Sequence, residues 1–273
     1  MKIYAAGSFG VKGIPDFLDN NCVKLKIPKL YSFLNDIKYI DNYPETKHSS
    51  LMVDSGAHSW NKLNINVCTS TNVQKKLPNI GEFSKKYFKY ISENYHRNIV
   101  FVELDTYGVL SKEKMDAFAK KVFAFRGKAQ FIRVYHPQLD GGSLRVLKEW
   151  IDAGQTYIGI GGSSYDMLGD IFKITRNDIK LHGFALTKAD LLHKYPFYSV
   201  DSTSYLSPAR YGGVYREGLK SVKNETLIRQ KSPEYIIGLD RSKTGEKIEK
   251  ALINLKKSEI YFTKLWEKRG VVW

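Results

Sequence analysis

The sequence predicts a (β/α)₈ TIM barrel, and two observations carry that expectation. Eight short runs rich in Val, Ile, Phe and Tyr recur as far as about position 206. Amphipathic stretches of helical period fill several of the gaps between them. The barrel is expected over residues 1–211. Residues 212–273 read as a basic helical C-terminal extension packed on it, within a single domain. A length of 273 residues suits one large domain of this kind.

The expected strands lie at 2–7, 29–34, 51–55, 99–105, 130–136, 157–162, 180–186 and 197–202. The second is the most poorly marked of them. A helix over 82–95 places Phe83, Tyr87, Tyr90 and Ile91 on one face, and another over 111–125 opens on a capping-type Ser111. A third, over 143–153, carries Leu144, Leu147 and Ile151 at helical spacing and stops at Gly154. Residues 243–265 read as one long helix or two short ones. There Ile248, Leu252, Leu255 and Ile260 face the barrel, and Lys256, Lys257, Lys264 and Lys268 face outward. The opening MKIYAAGSFG has too short an apolar run for a signal peptide and reads as the first strand.

Composition narrows the partner. With 14 Phe, 18 Tyr and 4 Trp the chain is not a disordered tail, and no run of about 18 apolar residues suggests a membrane span. Lys and Arg number 43 against 28 Asp and Glu, a formal charge of +15 with a pI near 9.5. An excess of this size points to an anionic partner, nucleic acid being the commonest. Residues 212–273 hold 14 Lys and Arg against 8 Asp and Glu. A second basic region, Lys75, Lys76, Lys85, Lys86 and Lys89, follows the third strand. Cys22 and Cys68, without metal-ligand spacing, suggest a reduced cytoplasmic protein with no zinc site and no cofactor.

The chemistry is expected where strands end. Three runs close on an acid: Asp54 after Leu51-Met52-Val53, Asp105 after Val102-Glu103-Leu104, and Asp201 after Tyr198-Ser199-Val200. An isolated acid after an apolar run is usually a cap or a turn, but barrel closure would gather three into one constellation. Strand alternation puts Met52 with Asp54, Glu103 with Asp105, and Ser199 with Asp201. Gly161-Gly162, at the end of the sixth run, offers bare backbone to a flat ligand at the same rim. Carboxylates and backbone amides together can read a guanine, whose N1–H and amine donate and whose O6 accepts. A further carboxylate facing the sugar can form a glycosyl-enzyme ester.

These strand ends resemble the tRNA-guanine transglycosylases. Asp54-Ser55-Gly56, Leu104-Asp105, Ile160-Gly161-Gly162, Val200-Asp201 and Pro208-Ala209-Arg210-Tyr211-Gly212 follow that family's motif order. The stretch from His182-Gly183-Phe184 through Tyr195-Pro196-Phe197-Tyr198-Ser199-Val200-Asp201-Ser202-Thr203-Ser204 is more similar still to the phage and bacterial DNA branch, the DNA deazaguanine transglycosylases. The resemblance covers roughly residues 1–216.

The resemblance implies Asp201 as nucleophile and Asp54 as general acid/base. It implies Asp105, Gly161 and Gly162 as readers of the base, with His136 where the tRNA enzymes carry a base-reading Gln. His58 and His182 fall where the family sandwiches the base. Phosphate contacts would come from Lys75, Lys76, Lys85, Lys86, Arg210, Lys256, Lys257 and Lys264. The chain has neither Cys nor His after His193, so the tRNA enzymes' zinc site is not expected, and Ala57 replaces the second glycine of their motif. The implied reaction is replacement of guanine in DNA by a free 7-deazaguanine base such as the 7-cyano form, in the cytoplasm (the host's, if phage-encoded). A zinc-free tRNA or RNA transglycosylase and a catalytically silent nucleic-acid-binding barrel are the alternatives.

Overall fold

A computed structural model describes residues 1–7, 14–44, 50–57, 79–106, 109–127, 130–175, 178–206 and 241–273. Eight parallel strands close into one barrel in sequence order: β1 (Lys2–Ala6), β2 (Lys29–Ser32), β3 (Leu51–Asp54), β4 (Ile99–Val102), β5 (Phe131–Tyr135), β6 (Tyr157–Ile160), β7 (Lys180–Gly183) and β8 (Ser199–Ser202). The described helices are α1 (Ile14–Leu25), α2 (Phe33–Asp41), α3 (Ile80–Asn94), α4 (Lys112–Arg126), α5 (Arg145–Asp152), α6 (Leu168–Thr175), α7 (Ala189–Lys194) and α8 (Arg241–Lys268). The fold is the (β/α)₈ barrel with a C-terminal helix. No helix among the described residues is long and apolar enough to cross a membrane.

Alternation along the strands splits the core into an inside and an outside. Tyr4, Ala6, Leu30, Met52, Val102, Ile132, Val134 and Tyr157 fill the barrel. The intervening residues meet the helices: Val200, Leu181 and Ile158 pack with Leu147, Ile171 and Leu252, while Val53, Phe101 and Phe131 pack with Phe83, Tyr87 and Phe118. Closure is made where β1 pairs with β8, in the register Lys2↔Ser199 to Ala5↔Ser202.

The C-terminal helix α8 does pack on the barrel, and it takes the place of the eighth helix of the ring, against α1 and β1. Its buried face is Ile248, Leu252, Leu255, Phe262 and Trp266. Ile260, expected on that face, is 45% exposed, because the buried positions fall at Glu259 and Phe262 instead. Glu259 is there for a reason. β2 begins opposite Ala5, so the Ile3 N–H has no strand partner, and Glu259 Oε2 accepts it at 2.9 Å. Lys256 does not face outward: its Nζ donates to the Lys26 carbonyl at the end of α1, at 2.9 Å, and to Glu259.

Glu103 departs from the expected alternation with Asp105. β4 stops at Val102, and Glu103 turns out of the barrel toward Arg133, whose guanidinium meets Oε1 at 2.9 Å while the Val134 N–H meets Oε2 at 3.0 Å. Arg133 also reaches Asp116 at 2.6 Å and lies over the Trp150 ring at 3.9 Å. A buried ion pair contributes little net stability, but removing one partner strands the other. Arg133→Met is expected to cost about 3–5 kcal/mol, read from the chemical-denaturation midpoint, because Glu103 is left charged and buried. An unchanged midpoint would show that Glu103 is not held as a charge.

Candidate active site at the barrel rim

Each carboxylate is set by the local path of its strand end. Asp54 closes β3, where the chain must turn at once. Gly56 makes that turn at φ +86°, and a Cβ there would lie 2.6 Å from Leu34 Cβ and 2.8 Å from Ser32 Oγ, so only glycine fits. The turn brings the Gly56 N–H to 3.3 Å from Asp54 Oδ2. Tyr87 of α3 fixes the underlying strands by donating to both Val53 O (3.1 Å) and Val102 O (2.7 Å), the carbonyls just below Asp54 and Asp105. The two acid-bearing ends are thus held by one phenol.

Asp54, Asp105 and Asp201 stand on β3, just beyond β4, and on β8, all at the C-terminal end of the barrel. Burial first, then the charges of Asp105 and Asp201, push the Asp54 carboxyl up to about 7. Burial and the neighbouring Glu103 hold Asp105 well above the ordinary carboxylate range. Asp105 Oδ2 lies 3.1 Å from His136 Nε2. Burial lowers the His136 imidazole to about 4, so near neutral pH the contact is a hydrogen bond holding one proton and not an ion pair. Gly161 has a second use: a Cβ there would lie 3.0 Å from His136 Cε1, so its lack of side chain lets the imidazole lie against the strand. Gly162 is exposed at the mouth and opens the 3₁₀ turn Gly162–Met167.

His182 stands apart from its expected stacking role. Its side chain is wholly buried inside the barrel, with Nδ1 2.7 Å from Ser199 Oγ and Nε2 3.3 Å from Asp201 Oδ1. Both ring nitrogens are engaged by protein, and the ring meets Phe184 edge-on at 4.4 Å between centroids. Phe184 is the aromatic that the sequence reading missed. It is half-buried at the rim over Gly159, where a Cβ would lie 2.4 Å from its ring. The signal was present as a glycine inside a strand, which marks close approach from a neighbour. Asp201 takes a further bond, from the Ala185 N–H to Oδ1 at 2.9 Å.

The expected phosphate contacts divide. Helices follow strands in a parallel barrel, so α3 begins at the rim that carries Asp54, Asp105 and Asp201, and Lys85 and Lys86 lie exposed on its second turn. α8 runs the other way from its expected use: Gly245 lies near Phe17 at the start of α1, whereas Thr263 meets Met1 and Trp266 meets the Leu192 carbonyl. Lys264 and Lys268 are therefore at the opposite end of the barrel from Asp201, and Lys257 lies midway along the helix. His58, Lys75, Lys76 and Arg210 lie outside the described residues.

No family model, curated protein or solved structure matches this chain. Among the described residues, no three His, Cys, Asp or Glu side chains are grouped to hold a metal ion. What the rim does offer is a set of carboxylates in different surroundings: Asp54 is pushed up to about 7, and Asp201 accepts the Ala185 N–H.

The raised Asp54 carboxyl carries a stability signature. Its folded pKa lies above the unfolded value, so the carboxyl costs stability as pH rises through about 7 and not below the unfolded pKa. Asp54→Asn is expected to melt higher than the parent protein at pH 8.5, with the difference vanishing near pH 4. Equal melting temperatures at pH 8.5 would show that Asp54 is not raised.

Proposed function

We propose that this protein is a nucleic-acid base-exchange enzyme, replacing guanine in DNA with a free 7-deazaguanine base through an aspartyl-glycosyl ester. The observation that carries the reading is the rim itself. Asp54, pushed up to about 7 by burial and by the charges of Asp105 and Asp201, shares the rim with Asp201, which accepts the Ala185 N–H, and with Asp105, which meets His136.

In the first half-reaction Asp201 attacks the anomeric carbon as the glycosidic C–N bond breaks, and the departing base takes its electron pair and a proton from Asp54. In the second, the incoming base attacks the same carbon, gives its proton to Asp54, and the ester electrons return to Asp201. A carboxyl near 7 suits both directions of that transfer. In this reading Asp105 accepts from the guanine N1–H and amine, and the bare backbone of Gly162 meets the base. A base within a duplex does not reach such a rim, so the target nucleotide must be flipped out or single-stranded. The charge of +15 fits a polyanion, and the absence of Cys and His after His193 favours DNA over the zinc-bearing tRNA enzymes' substrate.

The test is incubation with duplex DNA, single-stranded DNA and tRNA, each with labelled 7-cyano-7-deazaguanine. Label is expected in DNA, with a denaturation-resistant protein–DNA adduct that Asp201→Asn does not form. Because Asp54 must be protonated to release guanine, adduct formation should fall as pH rises through about 7. Label in tRNA alone would transfer the reading to RNA, and no label in any of the three would end it.

Lys85 and Lys86 supply a second test. If both contact phosphates, replacing them with Ala should flatten the slope of log affinity against log salt by about 2. The same change at Lys264 and Lys268, at the far end of the barrel, should leave the slope alone. A reversed result would put the nucleic acid on the other face.

A further inference from the structure

We infer that Asp201 attacks through Oδ2 alone, and that His182 is the positioning residue that makes it so by holding Oδ1. The inference rests on the base-exchange reading and says which atom reacts. Both protein contacts to the carboxylate converge on one oxygen: the Ala185 N–H at 2.9 Å and His182 Nε2 at 3.3 Å. Among the described residues Oδ2 receives no hydrogen bond. A carboxylate free to rotate presents either oxygen, whereas one held at Oδ1 presents Oδ2 in a fixed direction. On attack, Oδ2 forms the bond to the anomeric carbon and Oδ1 becomes the ester carbonyl oxygen, still facing the same two donors. When the incoming base displaces the ester, the electron pair returns to a carboxylate already clamped.

The donor assignment follows from the chain behind His182. A carboxylate attacking carbon is an acceptor only, so Nε2 must carry the imidazole proton and Nδ1 must accept. Ser199 Oγ, 2.7 Å from Nδ1, then donates its proton there and has a lone pair for Tyr157, whose hydroxyl lies 2.5 Å away. With its only proton spent on Nδ1, Ser199 can only accept from Tyr157. The Tyr4 hydroxyl meets Ser50 Oγ at 3.0 Å. Tyr157, Ser199 and His182 are buried, so no water competes to reverse the imidazole tautomer.

The second donor has a backbone cost. Ala185 adopts φ +52°, a left-handed conformation that L-residues with a Cβ avoid. It comes two residues after β7 ends, and it is this turn that aims the amide at Asp201. An outlier so placed is evidence that the amide direction matters.

The experiment has two arms. The first reads the tautomer without any turnover: ¹⁵N-histidine protein is observed by two-bond proton–nitrogen correlation, with His182 assigned from the signal lost in His182→Gln. The Nε2–H form is expected, and Ser199→Ala should weaken that preference. An Nδ1–H imidazole overturns the inference whatever the activity. The second arm measures single-turnover adduct formation on the nucleic acid that accepts label. His182→Leu should slow it about 10²- to 10³-fold, as loss of one fixed donor to a reacting oxygen does. His182→Gln, which keeps an N–H donor, should recover at least about tenfold of that loss, and affinity for free 7-cyano-7-deazaguanine should be unchanged in both. Should His182→Leu fail to fold, Ser199→Ala provides the same comparison with the ring in place. A wild-type adduct with an unimpaired His182→Leu overturns the positioning role alone. No wild-type adduct at all overturns base exchange, and the attack through Oδ2 with it.

Discussion

Barrel closure between β1 and β8 is the constraint on which everything else at the rim depends. Asp54 belongs to β3 and Asp201 to β8, so in an open sheet they would stand at distant positions. The parallel pairing of Lys2–Ala5 with Ser199–Ser202 bends the sheet round until their charges act on one another. Parallel strands all end on the same side, so a chain that places an acid at three strand ends gathers three acids at one mouth. Burial in that mouth, and then the charges of Asp105 and Asp201, raise the Asp54 carboxyl to about 7. The same closure makes an interior narrow enough for Tyr4, Tyr157, Ser199 and His182 to touch.

Much of this was legible before any coordinates. The eight runs mark all eight strands within a few residues, because β-branched and aromatic side chains packed on both faces leave continuous apolar segments. The acids at their ends stood out because burial of a charge is costly and therefore rare. Helices α1 and α2 were harder. α1 carries Pro15 and two adjacent asparagines, and α2 starts at Phe33 directly after Ser32, so strand and helix periodicities run together and the expected second strand extends too far. Glu103 misled because alternation was carried past Val102, where the strand ends.

Site roles were less legible than site positions. Alternation places His182 inside the barrel but does not say how deep, and depth decides whether a ring meets a ligand or a carboxylate. Phe184 and Gly159 explain one another only across the gap between β6 and β7. The lysines of α8 were read as one basic face, yet a 28-residue helix spans both ends of the barrel, and charge counts carry no information about which end.

The contact between Glu259 and the Ile3 N–H also bears on how the chain acquires its shape. The two residues are 256 positions apart, whereas the β8 partner of Lys2, Ser199, follows it by 199 − 2 = 197. During synthesis the first strand emerges with one edge bare, and β2 to β7 can be laid down on its other side in order. The edge that awaits β8 offers unpaired amides until β8 arrives, and the Ile3 N–H, on the β2 side, waits longer still for Glu259. The ring is thus closed by β8, and the Ile3 N–H is satisfied only when α8 docks, so the exposed edge that invites misassembly persists until β8 has emerged.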